Sequence, residues 1–243
     1  EVVNELSLRT TAANNQCALM GVHLSNMDME SGIGDAVLNF MDSISVVANR
    51  PEMSNIPFFI NGYSWGGQFG YHFTMWYPQK VIALISQKGG YHDTTTVYSA
   101  VDVPILFFIG ENDLQYRIDN LTNIFMNHRR FGAKWILAID KNAAHEPVTD
   151  QIFLNTYFHE IMNVRIDRNS NFHQPFTLNQ LADSTSWLGA YDSLIIDSWI
   201  CFPLNPDSSS WLVNRKFANL WRSFNSHDLL VEHNFDLNED CQN

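Results

Sequence analysis

Ile60-Asn61-Gly62-Tyr63-Ser64-Trp65-Gly66-Gly67 runs from an apolar segment into the pattern G-x-S-x-G and on into a helical period, as expected of a serine set on a tight strand-to-helix turn. Pro57-Phe58-Phe59-Ile60 ahead of it is a short continuous apolar run, the pattern of a parallel strand buried on both faces. Phe69, Phe73 and Trp76 recur at helical spacing until Pro78 stops the helix. Such a turn brings backbone against backbone, so glycine is expected at Gly62 and Gly66, where a side chain would collide. The serine hydroxyl of such a turn is exposed, which makes Ser64 a candidate nucleophile and the chain a candidate serine hydrolase.

A serine hydroxyl is a poor nucleophile at neutral pH and needs a histidine base oriented by a carboxylate, expected after it in the order Ser, Asp, His. Val103 to Gly110 is a second buried-strand run, and it delivers Glu111-Asn112-Asp113 onto the loop at its end. Asp113 is the acid chosen. Its competitors are Glu111, placed where the strand is still ending, and Asp102, which precedes the strand at the wrong edge of a parallel sheet. Trp135 to Ile139 reads as a further strand, followed by Asp140-Lys141-Asn142-Ala143-Ala144-His145-Glu146-Pro147. Of the nine histidines, His145 follows the last strand and is taken as the base. His92, after the strand from Val81 to Ser86, is its rival.

From about Ala18 to Met162 the chain resembles a bacterial α/β-hydrolase group related to polyhydroxybutyrate depolymerases and feruloyl-esterase-like proteins. The matching pieces are Gly62 to Phe69, Lys88-Gly89-Gly90-Tyr91, Phe107 to Asp113 and Ala144-His145-Glu146. The resemblance implies an α/β-hydrolase fold with a mostly parallel sheet and hydrolysis of a small-molecule or polymeric ester. It carries Ser64, Asp113 and His145 over as the members of a triad. It implies no cofactor and no metal, and it does not fix the acyl group. In this fold the backbone amide after the nucleophile, here that of Trp65, is one donor to the oxyanion.

The chain departs from that group ahead of the nucleophile. Cys17 to Leu24 fits the fourth strand of the fold, with Val3, Leu6 and Thr10 at the end of the helix before it, and the first three strands are missing. No His-Gly-Gly-type loop is present, so the other oxyanion donor has no candidate. The chain begins with Glu and shows no charged-then-apolar leader, which reads as a processed product or a fragment. An upstream segment or a partner chain completing the sheet is expected.

With 243 residues, 45% of them apolar, the chain can bury a sizeable core. A formal net charge of −12 argues against nucleic acid and against an anionic membrane surface as partners. No apolar run is long enough for a membrane span. Cys17, Cys201 and Cys241 have no metal-binding spacing; Cys17 reads as a buried strand thiol, and Cys201 and Cys241 would pair in an oxidising compartment. Asn120-Leu121-Thr122 is a glycosylation sequon only in a eukaryotic secretory context. Gly32-Ile33-Gly34 lacks the third glycine of a dinucleotide loop and opens a helix carrying Val37, Phe40, Met41, Ile44 and Val47.

The organisation expected is a core over residues 1–165 and a C-terminal extension over 166–243, joined at the polar stretch Asp167 to Asn171. Ile118, Leu121, Ile124 and Phe125 mark one helix of the core, and Ile152, Phe153, Thr156 and Ile161 the closing one. The extension should hold a strand near Ser193 to Ile196 and a helix with Phe217, Leu220, Trp221 and Phe224. Its aromatics either line a substrate cleft or, more simply, pack on the core.

Overall fold

The computed structural model describes residues 4–23, 26–90, 92–93, 98–167, 174 and 176–226. Its elements follow in the order α1 (Leu6–Asn14), α2 (Ile33–Val47), β1 (Phe58–Tyr63), α3 (Trp65–Trp76), β2 (Val81–Gln87), β3 (Ile105–Gly110), α4 (Gln115–Arg129), β4 (Trp135–Asp140) and α5 (Gln151–Arg165). Beyond these come β5 (Trp187–Gly189), β6 (Ile196–Ser198), β7 (Ser210–Leu212) and α6 (Arg215–Ser226).

Strands β1-β2-β3-β4 form one sheet in sequence order, every pair parallel. The period of two sorts its side chains into two cores. Ile105, Phe107 and Ile109 face Tyr71 of α3 and Leu121, Ile124 and Phe125 of α4. Leu106 and Phe108 face Phe153, Tyr157 and Ile161 of α5 together with Trp211, Phe217 and Trp221. Helices on both faces explain why β2 and β3 are buried at every position and read as unbroken apolar runs. The fold class is therefore α/β, with a four-stranded parallel sheet whose strands alternate with helices.

Ahead of β1 the structure corrects the sequence reading. Residues 17–23 are irregular, and no described residue before Phe58 pairs with the sheet; Leu24 lies outside the described residues. Gly21, Val22 and His23 are exposed, and an apolar run without a partner strand has nothing to hold it extended. β1 is accordingly an edge strand, half-buried except at the exposed Asn61. In α2, Val37 and Met41 enter the core as expected, but Phe40 is half-exposed and Val47 is 88% exposed.

The opposite edge, β4, is closed by side chains from the C-terminal region. Ser210 Oγ accepts from Leu137 N–H at 3.0 Å, Trp221 Nε1 donates to the Leu137 carbonyl at 2.8 Å, and Asn225 Oδ1 accepts from Ile139 N–H at 2.7 Å. Outward backbone groups of an edge strand are thus satisfied without a further strand. The extension's own sheet, β6-β5-β7, is antiparallel with strands of three residues each. Its aromatics are core: Trp211 and Trp221 are buried, and Gly189 leaves room for the Trp221 ring, which would lie 2.5 Å from a Cβ placed there. Trp221→Ala is expected to cost about 3–5 kcal/mol in a denaturant melt, because it opens a cavity and leaves the Leu137 carbonyl with only the longer 3.4 Å bond from Ser210 Oγ. A cost under about 1 kcal/mol would show that β4 does not depend on this seal.

Cys17 is a free, half-buried thiol whose pKa burial pushes up; Cys201 is disulfide-bonded, and Cys241 lies outside the described residues, as does most of the Asp167 to Asn171 stretch. Asn120 of the sequon is already engaged, its amide donating to the His92 carbonyl at 3.2 Å and accepting from the His92 N–H at 2.9 Å. No described helix is long and apolar enough to cross a membrane.

Candidate active site

Ser64 sits between β1 and α3 with φ 52° and ψ −117°, a conformation that costs a non-glycine residue about 1–3 kcal/mol. The turn is held from both sides: Ser64 N–H donates to the Gln87 carbonyl at 2.9 Å, and Gln68 N–H donates to the Ser64 carbonyl at 3.0 Å. A Cβ on Gly62 would lie 2.2 Å from the Gly66 carbonyl carbon and oxygen, so β1 and α3 can approach only because residue 62 has none. The second close approach belongs to Gly67, whose Cβ would lie 2.8 Å from Ser86 Oγ and 2.9 Å from the Gly62 carbonyl oxygen. Gly66 has nothing within 4 Å, so the collision expected there does not arise.

The loops after β3 and β4 bring the acid and the base to this serine. His145 Nε2 lies 2.9 Å from Ser64 Oγ, and His145 Nδ1 lies 2.9 Å from Asp113 Oδ2. Backbone contacts explain why the loops meet. Asn112 N–H donates to the Ala143 carbonyl at 2.9 Å, and Gly110 admits the Ala144 carbonyl oxygen to within 2.2 Å of where a Cβ would stand. Tyr63, beside the serine, donates its hydroxyl to the His145 carbonyl at 2.6 Å and lies against the imidazole, ring centres 5.3 Å apart. Buried Gln87 joins both sides of the site, donating to Asn61 Oδ1 at 2.8 Å and accepting from Val148 N–H at 2.9 Å.

Asp113 has a side chain only 3% exposed. Burial alone pushes its carboxyl up, but hydrogen bonds from His145, the Leu114 amide and Arg117 outweigh that and hold it below the usual carboxylate range. It is therefore ionised at neutral pH and able to fix the imidazole with Nδ1–H toward itself and Nε2 toward Ser64. Trp65 opens α3, so its amide has no preceding helical carbonyl to donate to and stands at the positive end of the helix.

The competitors are employed elsewhere. Glu111 accepts from Lys141 Nζ and from Asn142 N–H, both at 2.9 Å, and so braces the loop that carries His145. Asp102 lies before β3 and acts electrostatically on Arg165, which bonds the Val81 and Ile82 carbonyls at the start of β2. That is the amino end of the sheet, opposite Ser64. His92 is fully buried, edge-on to Tyr71 and Phe107 and parallel to His72, and neither ring nitrogen has a hydrogen-bond partner among the described residues. Burial and the neighbouring His72 push its pKa down to about 3, so it is a neutral core residue.

Sequence reasoning did not single out Arg117, Gln87, Tyr63 or Lys88. Lys88, fully buried with φ 49°, pairs with Asp140 at 2.7 Å and ties the ends of β2 and β4. Tyr63 and Lys88 lie within the matching pieces of the resemblance, and for Arg117 and Gln87 the sequence signal was proximity to Asp113 or a strand end. Among the described residues no group of His, Cys, Asp and Glu is arranged to hold a metal ion.

No family model matches the chain, and no curated protein matches it. Among solved structures it is similar to a thermostable esterase at 24% identity, over 37% of this chain and 24% of that one, with a TM-score of 0.34. It is similar to esterase PE8 at 15% identity, over 53% of this chain and 60% of that one, with a TM-score of 0.43. Arabidopsis thaliana SOBER1 aligns at 20% identity over 57% of this chain and 68% of its own, with a TM-score of 0.40. The chain thus spans about a quarter of the length of the thermostable esterase.

Proposed function

We propose that the protein is a serine hydrolase that cleaves carboxylic esters through an acyl-enzyme. The observation that carries this reading is the pair of 2.9 Å contacts linking Ser64 Oγ, His145 and Asp113 at the carboxyl ends of a parallel sheet. His145 Nε2 takes the proton from Ser64 Oγ as the oxygen attacks the ester carbonyl. Asp113 holds the imidazole and stabilises its charged form, and the Trp65 amide donates to the developing oxyanion. Collapse of the intermediate passes the proton from His145 to the leaving alcohol. Water then attacks the acyl carbonyl as His145 takes one of its protons, and His145 returns that proton to Ser64 Oγ as the acyl–oxygen bond breaks and the acid leaves. The preference for esters, and for membership of the polyhydroxybutyrate-depolymerase and feruloyl-esterase-like group, rests on the sequence resemblance.

The test is labelling with a fluorophosphonate probe, followed by turnover of a short-chain p-nitrophenyl ester and of the matching anilide. Labelling at Ser64 with ester turnover is the expected result. Labelling with turnover of the amide alone would make the protein a peptidase of the same fold. A folded sample that takes no label would make it a non-catalytic binding protein.

A further inference from the structure

Asp113 carries a cation that the Ser64–His145–Asp113 relay does not itself require. One carboxylate oxygen, Oδ2, faces His145 Nδ1, and the other, Oδ1, accepts from the Leu114 amide at 2.7 Å and from Arg117 Nη1 at 2.9 Å. Arg117 stands one helical turn beyond Asp113, on the first turn of α4. Its guanidinium lies 5.4 Å from the centre of the Tyr116 ring, and its side chain is 21% exposed against 3% for Asp113. The acid is thus clamped on the side away from the imidazole by a fixed positive charge.

We infer that Arg117 is a positioning residue for the proposed reaction: its guanidinium locks the Asp113 carboxylate so that Oδ2 faces His145, and it offsets part of the negative charge the imidazole feels. The inference rests on the serine-hydrolase reading above. The other groups around the imidazole bear on it through different contacts. Tyr63 on β1 meets the imidazole as a neutral phenol and donates to a backbone carbonyl. Glu146 binds the Ala144 amide, and Glu111 is paired with Lys141 across the loop. Tyr116 sits beside the guanidinium.

The sign of the effect follows. A carboxylate stabilises the imidazolium, which cannot take the Ser64 proton, and a cation on that carboxylate opposes this. Arg117→Gln removes both the clamp and the charge. Its kcat should fall about tenfold with KM within about twofold, and the acid limb of kcat/KM should move to higher pH. Arg117→Lys keeps the charge and loses the planar guanidinium that sets Nη1 on Oδ1, so its acid limb should stay at the wild-type position while kcat remains below wild type. A fall in kcat with an unmoved limb in Arg117→Gln would reduce Arg117 to a structural part. A raised KM with unchanged kcat would make it a substrate contact, and wild-type kinetics in both variants would remove it from the site; each result overturns the inference. Should Arg117→Gln not fold, Arg117→Lys carries the test: wild-type kcat there overturns the clamp. Ser64→Ala is measured alongside. If it keeps turnover, the hydrolase reading fails; if it is dead and Arg117→Gln behaves as wild type, only the role of Arg117 fails.

Discussion

Ser64→Ala is expected to lower turnover of a short-chain p-nitrophenyl ester by about a thousandfold or more, with the thermal melt unchanged within about 1 kcal/mol. Only one oxygen is lost. Its recorded side-chain contact is His145 Nε2, so the substitution removes the proposed nucleophile and little packing. His145→Ala and Asp113→Asn should each lose turnover on a similar scale, and Ser64→Ala combined with either should lose no more than the worst single variant. Such non-additivity is the signature of groups that work as one unit, and additive losses would argue that they act separately. Glu111→Gln and His92→Phe serve as controls. Glu111 braces the His145 loop from outside, so its loss should cost less than about tenfold. His92 has no bond to the relay and sits in an aromatic cluster, so its replacement should register in the melt rather than in turnover. Retention of more than a few per cent of the rate in Ser64→Ala would sink the assignment of the nucleophile.

The residues differ in how far their roles could be read from the chain. The buried strands announced themselves, because a parallel strand covered on both faces must be apolar throughout, and Val81 to Gln87 and Ile105 to Gly110 are. The turn at Ser64 was legible because the pattern of an apolar strand running into G-x-S-x-G marks it, with Gly62 required by the backbone approach, and the loop positions of Asp113 and His145 followed from strand order. Cys17 to Leu24 shows the limit of the same reasoning. A short apolar run satisfies the pattern of a strand whether or not a partner strand exists, and strand pairing is a property of the whole sheet. Gly66 and Gly67 show another limit: the pattern names glycines, but which Cβ would collide depends on how α3 leans on β2. Arg117, Gln87 and Lys88 were illegible for a different reason. Gln87 and Lys88 act through contacts across the fold and Arg117 through an ion pair four residues away, and no hydrophobic periodicity records such contacts.

Gly62→Ala is expected to damage both stability and turnover, whereas Gly66→Ala should leave the fold intact. At residue 62 the added methyl meets backbone, with the Gly66 carbonyl carbon and oxygen at 2.2 Å and Gly67 N at 2.5 Å. No rotamer change can relieve a backbone clash, so β1 and the first turn of α3 must separate, at a cost of about 3 kcal/mol or more. That separation moves Ser64 away from His145 Nε2 and moves the Trp65 amide with it. A displacement of about 1 Å in such a site is worth about a hundredfold in rate. At residue 66 a Cβ meets nothing within 4 Å, and in α3 alanine is favoured over glycine by about 0.5–1 kcal/mol. Gly66→Ala should therefore melt no lower than the parent, by up to about 2–4 °C higher for a chain of this size. Thermal melts and ester turnover of the two variants separate the cases, since the motif alone treats both glycines as equivalent. A reversed order, with Gly66→Ala the more damaging to the melt, would mean that α3 leaves the turn along a different line, and that Ser64 is held by contacts other than the Gln87 and Gln68 hydrogen bonds.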